Sequence, residues 1–165
     1  MYPCNARGNS RYAGVPRLAL LLGATALVVA AQSVSAGVEM GAGVDAQVDK
    51  KETPVLTLGY LTDQRYPWEF SIGRFAEHDR PDGFEIAPVT YYVCAARRLT
   101  WNHWFVSGGL AYNTSNDPVL SGHIQAQTAL GFAFDHWTFS IRHMSNGSTS
   151  GDNHGETFAL LQYGM

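Results

Sequence analysis

The stretch Trp137-Thr138-Phe139-Ser140-Ile141-Arg142-His143-Met144-Ser145-Asn146-Gly147 decides the fold. Successive side chains of a β-strand point to opposite sides, so the stretch separates into two faces. One face carries Trp137, Phe139, Ile141, His143 and Ser145, and the other carries Thr138, Ser140 and Arg142. This alternation predicts a strand whose apolar face either packs into a core or contacts lipid. A His and a Ser, two residues apart, end that apolar face.

The same alternation recurs along the chain from Gly37 and predicts seven further strands. They begin at Gly37, Pro54, Trp68, Phe84, Trp104, Ile124 and Glu156. The first alternates as far as Val48, and the last runs to Met165. The strand from Phe84 to Arg97 is less regular, since Pro88 and the Tyr91-Tyr92 pair indicate a bulge or a change of face.

Long polar loops and short turns alternate strictly between these strands. The loops are centred on residues 49–53, 78–83, 114–120 and 146–155, and the turns on residues 63–66, 97–98 and 135–136. This pattern is typical of an all-β, eight-stranded antiparallel transmembrane β-barrel with its short turns on the periplasmic side. Aromatic residues near the strand ends would form two interfacial girdles: Tyr60, Trp68, Trp101, Tyr112, Trp137 and Tyr163.

A soluble periplasmic barrel with an internal ligand site is the alternative, because alternation alone does not say which face is inside. Two features favour the membrane barrel. The loops are long at one end only, and the second face consists of small or polar residues, which suit the filled interior of an eight-stranded barrel.

Residues 1–36 are predicted to be a signal peptide, and residues 37–165 the barrel domain. Arginines precede an apolar run from Leu18 to Ala31, and Val34-Ser35-Ala36 is a small-residue cleavage site. All 14 acidic residues follow Gly37, against eight basic ones. This acidic balance argues against nucleic acid as a partner. Cys94 is the only cysteine after the signal peptide, which excludes an intrachain disulfide there.

His143 and Ser145 are candidates for nucleophilic catalysis, because a Ser hydroxyl needs a neighbouring base to take its proton. The base needs a third group that fixes its tautomer, and Glu156 is the candidate because one loop joins its strand to that of His143. Asn146 and the backbone around Gly147 could donate hydrogen bonds to an oxyanion. The remaining histidines show no paired metal spacing, so no metal site is expected.

The segments His143-Met144-Ser145-Asn146-Gly147 and Asn153-His154-Gly155-Glu156 resemble the signature of the PagL-type lipid A 3-O-deacylases, which are small eight-stranded outer-membrane enzymes. The resemblance covers roughly residues 142–158 and is architectural elsewhere. It implies Ser145 as nucleophile, His143 as base, Asn146 in the oxyanion hole and Glu156 as the third member.

Two points depart from that family pattern. The spacing from Ser145 to Glu156 is about one residue shorter than the family's, which leaves Asp152 as an alternative acid. The parity of the last strand also matters: if Tyr163 faces lipid, Glu156 points inward unless it still belongs to the preceding loop.

The predicted function is therefore an outer-membrane serine esterase that removes the 3-O-linked 3-hydroxyacyl chain of lipid A, without a cofactor. Its partners would be lipopolysaccharide and outer-membrane lipids, with a homodimer as one option for assembly. Lys50, Lys51 and Arg80 are candidate contacts of the substrate in the loops. The alternatives are a non-catalytic surface barrel, such as an adhesin or stress protein, a lipocalin-like binder, and an esterase for another lipid.

Overall fold

The computed structural model describes residues 36–45, 52–79, 86–116, 119–149 and 154–165. These form eight long strands: β1 (Gly37–Asp45), β2 (Thr53–Leu61), β3 (Trp68–Phe75), β4 (Thr90–Trp101), β5 (Trp104–Asn113), β6 (Ile124–Phe134), β7 (Trp137–Ser145) and β8 (Glu156–Gly164). Two strands of two residues each, His78–Asp79 and Ile86–Ala87, form a separate small sheet. The predicted signal peptide lies, up to residue 35, outside the described residues. Among the described residues, no helix is long and apolar enough to cross a membrane.

The eight long strands close into one antiparallel barrel, in which each strand pairs with its neighbours in sequence and β1 also pairs with β8. The closing seam runs from Glu39 opposite Gly164 to Asp45 opposite Phe158. Closure pairs the two strands that would otherwise be edges. The predicted all-β, eight-stranded antiparallel barrel is thus confirmed.

The outward face of the barrel is apolar and the inward face is largely polar. Along β7, Trp137, Phe139 and Ile141 are each about half exposed, whereas Ser140 and Arg142 are at most 1 % exposed. An apolar belt on the outside is what a lipid-embedded barrel requires, and a soluble ligand-binding barrel would reverse the two faces.

The two ends of the barrel differ as the loop lengths predict. The short turns and the first and last strand residues lie at one end, here called the turn end, where Gly164 N–H donates to His136 O (2.7 Å) and Met165 N–H to Val38 O (2.9 Å). The longer connections between β1 and β2, β3 and β4, β5 and β6, and β7 and β8 lie at the opposite end, here called the loop end.

A buried ion network fills the interior near the turn end. Arg98 donates to Glu39 Oε2 through Nη2 and to Glu69 Oε2 through Nε, both at 2.7 Å, and Arg142 Nη1 donates to Glu69 Oε1 at 2.5 Å. Two arginines thus neutralise two carboxylates. Each buried charge needs such a partner of opposite sign, because an unpaired charge in the interior is costly. The network joins β1, β3, β4 and β7 across the barrel.

An apolar cluster lies inside the barrel near the loop end, beside buried polar side chains such as Asn113, Gln125 and Glu156. The rings of Phe75 and Phe158 meet edge to face at 5.0 Å, and the ring of Tyr92 lies 5.4 Å from that of Phe75. Val119 and Leu120, from the loop between β5 and β6, are buried in the same cluster. This loop therefore closes over the mouth of the barrel.

Strand β4 differs most from its prediction. The expected turn at Arg97-Arg98 is wrong, because β4 continues to Trp101 and the chain turns at Asn102-His103. Arg98 points inward to the ion network, and Arg97 lies outward over the ring of Trp68 at 5.2 Å. Two adjacent arginines thus continue the strand alternation, each with its own partner.

Candidate active site

His143 and Ser145 lie on the outward face of β7, next to the loop end of the barrel. His143 is exposed and Ser145 is half-buried. Their position follows from the alternation of β7, in which Arg142 and Met144 point inward and are almost fully buried. Same-face neighbours on a strand have Cα atoms about 7 Å apart, so both side chains can contact one molecule on the barrel surface.

His143 lies between its two cross-strand neighbours, Thr157 on β8 and Thr128 on β6. The hydroxyl of Thr157 lies 2.9 Å from His143 Nδ1, within hydrogen-bond distance. The opposite edge of the ring faces Gly155: a methyl group built on Gly155 would lie 2.8 Å from Cε1 and 3.1 Å from Nε2. The imidazole is therefore fixed on one side by a hydroxyl and on the other by a glycine.

Glu156 occupies the inward face of β8. It pairs in register with Met144, and its side chain is 1 % exposed, like those of Phe158 and Leu160 that follow on the same face. A shift of one residue along a strand moves a side chain to the other face of the sheet. The structure therefore does not bring Glu156 to His143; it brings Thr157 there. Asp152, the alternative acid, lies outside the described residues.

A tight turn after β7 carries the two predicted oxyanion donors. Gly147 N–H donates to Ser145 Oγ at 3.1 Å, and Ser148 N–H donates to Asn146 Oδ1 at 2.8 Å. Gly147 and Ser148 both have positive φ (62° and 59°), a conformation that glycine adopts without steric cost. The turn thus folds the Gly147 amide back onto the hydroxyl of Ser145.

The loop between β5 and β6 anchors both segments of the site. Asn146 Nδ2 donates to the backbone oxygen of Ser121 and lies 3.2 Å from its hydroxyl. Gly155 N–H donates to Val119 O at 2.9 Å. Gln125 Nε2, inside the barrel, donates to Ser121 O at 3.1 Å. Because Val119 is buried in the apolar cluster, the site is fixed to the packed interior of the barrel.

This arrangement supports acyl transfer by a hydroxyl nucleophile. An imidazole whose Nδ1–H donates to Thr157 keeps the lone pair of Nε2 available for a proton. Nε2 lies at the Gly155 side of the ring, toward the loop end, where Ser145 also lies. The Gly147 amide donates to the Ser145 hydroxyl and the Asn146 side-chain amide donates to Ser121, so either amide would have to leave its present partner to bind an oxyanion. Within the described residues, no group of three or more His, Cys, Asp or Glu side chains could hold a metal ion.

Sequence reasoning missed three residues that shape the site. Thr157 and Gly155 flank the histidine ring, and Ser121 holds Asn146. The parity of β8 could have identified Thr157, since Tyr163 on the outward face implies outward positions at 161, 159 and 157. No signal in the sequence indicates the contact of Ser121 with Asn146, which depends on how the loop folds.

Comparison with curated proteins and with solved structures gives no match. A family model described as lipid A 3-O-deacylase (PagL) matches residues 38–165, from the start of β1 to the end of the barrel. The match includes both segments of the site and confirms the resemblance inferred from residues 142–158. The chain belongs to the lipid A 3-O-deacylase (PagL) family.

Proposed function

We propose that this protein is an outer-membrane serine esterase that hydrolyses the ester-linked 3-hydroxyacyl chain at the 3 position of lipid A. One observation carries the proposal: His143 and Ser145 lie together on the outward, apolar face of a barrel from the deacylase family. A substrate dissolved in the membrane would reach this face with its acyl chains beside the apolar belt and its sugar near the loops.

Ser145 acts as nucleophile and His143 as general base in the first half of the reaction. Ser145 Oγ attacks the ester carbonyl carbon while His143 Nε2 takes the hydroxyl proton. The carbonyl oxygen becomes an oxyanion, and the Gly147 amide and the Asn146 side-chain amide donate to it after they leave Ser145 Oγ and Ser121. Collapse of this intermediate breaks the bond to the sugar oxygen, which takes the proton from His143, and leaves the acyl group on Ser145.

Water completes the reaction. His143 takes a proton from the water molecule as its oxygen attacks the acyl carbonyl carbon, and then returns a proton to Ser145 Oγ as that oxygen leaves. The products are a free 3-hydroxy fatty acid and lipid A with one hydroxyl in place of the ester. All groups in these steps come from the chain, the substrate and water.

The outer-membrane location of the protein and its contacts with the sugar of lipid A are also part of the proposal. The apolar belt and the family both support the outer membrane, and the predicted signal peptide would direct export. Lys50, Lys51 and Arg80, the candidate phosphate contacts, lie outside the described residues and remain predictions.

A non-catalytic barrel is the second candidate, and one observation favours it: the carboxylate predicted to complete the triad, that of Glu156, points into the barrel. In this case His143 and Ser145 would be interfacial polar residues without a chemical role.

Mass spectrometry of lipid A decides between the two. Lipid A is extracted from Gram-negative cells that express the full chain, Ser145→Ala or Ser148→Ala, with the folded fraction measured by heat-modifiable mobility on gels. Ser148 is an exposed neighbour in the same turn and serves as the matched control. The esterase proposal expects loss of one 3-hydroxyacyl mass with the wild type and Ser148→Ala, and intact lipid A with Ser145→Ala. Intact lipid A in all three, with the barrel folded, would refute the lipid A esterase and make the non-catalytic barrel the first candidate.

A further inference from the structure

The surroundings of His143 contain a hydroxyl where a serine esterase ordinarily has a carboxylate. The described outward-facing residues that lie opposite or diagonal to His143 on the two neighbouring strands are Ala126, Thr128 and Leu130 on β6, and Thr157 and Ala159 on β8. None of these five carries a charge. Glu156, the nearest acidic residue along β8, has its side chain on the opposite face of the sheet.

We propose that Thr157 is the positioning residue of the site and takes the place of the triad acid. In this proposal Thr157 Oγ1, 2.9 Å away, accepts a hydrogen bond from His143 Nδ1–H, which leaves Nε2 free to receive the proton of Ser145. A hydroxyl can also donate to Nδ1, so the protonation of the ring is itself a prediction. The inference rests on the proposed esterase function. It extends that function by assigning the third member to a neutral side chain that the sequence pattern does not identify.

The geometry of the two strands supports this assignment. Cross-strand partners in an antiparallel pair have Cβ atoms about 4.5–5.5 Å apart, so a side chain as short as Thr reaches the ring of its partner directly. The observed separation of 2.9 Å between Oγ1 and Nδ1 fits a hydrogen bond of normal length. Gly155 leaves the Nε2 edge of the ring open because it has no side chain there.

A hydroxyl in this position has a definite chemical consequence. It can hold the imidazole in place through the hydrogen bond, but unlike a carboxylate it can donate as well as accept, and it carries no negative charge to stabilise the imidazolium that forms when Ser145 is deprotonated. The enzyme would therefore lose part of the electrostatic assistance. Glu156 instead lies inside the barrel, where it is the register partner of Met144 and shares the inward face of β8 with Phe158.

Kinetics of purified full-length protein in detergent micelles test the assignment, with lipopolysaccharide as substrate and the released 3-hydroxy fatty acid as readout. Thr157→Val removes the hydroxyl and keeps the shape, whereas Thr157→Ser restores it. Thr128→Val is the matched control, because it makes the same change at the other cross-strand neighbour of His143. Glu156→Gln tests the acid predicted from the sequence.

Thr157→Val is expected to lower kcat on the order of 10-fold at unchanged KM, the effect of losing one hydrogen bond in the reaction. Thr157→Ser should regain most of the wild-type rate. Thr128→Val and Glu156→Gln should retain it per folded molecule.

Two results would overturn the assignment. Thr157→Val could match the wild type, or Glu156→Gln could abolish turnover while Thr157→Val retains it. In these cases the wild type is active and Ser145→Ala is not, so the esterase function stands while the role of Thr157 fails. An inactive wild type would instead refute the esterase function itself.

A second measurement does not depend on activity. Nitrogen NMR of histidine-labelled protein reports which ring nitrogen carries the proton, and the His143 signal is identified by its loss in His143→Gln. The wild type should show the proton on Nδ1, and Thr157→Val should show a shift toward the other tautomer. An unchanged tautomer in Thr157→Val would refute the positioning role.

Discussion

Replacing Gly155 by Ala provides a direct test of how the histidine ring is held. Gly155 has φ +71°, lies buried before β8, and is bound through its N–H to Val119 O. A Cβ atom at this position would lie 2.8 Å from His143 Cε1 and 3.0 Å from the backbone oxygen of Met144. The added methyl group thus meets the ring on one side and rigid backbone on the other, so the ring is the part that must move.

Two separate costs follow from this geometry. A residue with a Cβ atom in the left-handed region costs about 1–2 kcal/mol of folding free energy. The ring must also retreat by about 0.6 Å to reach an ordinary carbon–carbon contact. Since a misplacement of 1 Å in a catalytic group can cost about 100-fold in rate, this retreat should lower kcat roughly 10-fold. The two effects are measured separately, by urea unfolding and by the initial rate of fatty-acid release per folded molecule.

Gly122→Ala is the control for the backbone cost. Gly122 also has positive φ (74°), and its N–H and backbone oxygen bind Asn116 and Gln125 instead of the site. It should lose a similar free energy of unfolding and keep its kcat. If Gly155→Ala turned over substrate at the wild-type rate per folded molecule, the glycine would not define the position of the ring, and the reasoning would be wrong.

Two further predictions concern the barrel that carries the site. Glu69→Gln removes one of two carboxylates and leaves Arg98 and Arg142 with a buried excess of positive charge, so the free energy of unfolding in urea should fall by about 3–5 kcal/mol; a loss below 1 kcal/mol would show that the network is not held together by Glu69. Leu110→Arg places a charge at the most exposed large side chain of β5. It should lower the free energy of unfolding in lipid vesicles by about 2 kcal/mol or more, and by less in detergent micelles. No effect in vesicles would argue that this face does not contact lipid.

The strands could be predicted from the sequence because alternation with a period of two is a local property. β7 follows its prediction residue by residue, with Ile141 and His143 outward and Arg142 inward. The expected turn at Arg97-Arg98 was wrong for a reason that is not local. Arg98 is stabilised inside the barrel by Glu39, which lies 59 residues earlier in the chain, and no window around β4 contains that partner.

The candidate site was predictable in part for the same reason. His143 and Ser145 share one strand, so their common face follows from the sequence. The partner of His143 sits on another strand, and its identity depends on the register between β7 and β8. That register pairs His143 with Thr157, whereas sequence reasoning chose Glu156 for its charge. A single residue of register therefore separates a buried carboxylate from a hydroxyl at the site.

The packing of the interior explains why chemistry at this barrel belongs on its outer surface. Glu69, Arg98 and Arg142 occupy the interior near the turn end, and Phe75 and Phe158 occupy it near the loop end. The interior of an eight-stranded barrel is just wide enough for side chains or one small ligand, and these large side chains occupy it near both ends, so we expect a lipid to bind outside. The outward positions of β7 and β8 near the loop end combine three properties that an ester of a membrane lipid requires: access from the bilayer, nearness to the polar loops, and rigid support from the buried cluster. Because Glu156 points inward, it places no charge beside His143, and we expect the rate of the proposed esterase to reflect that absence.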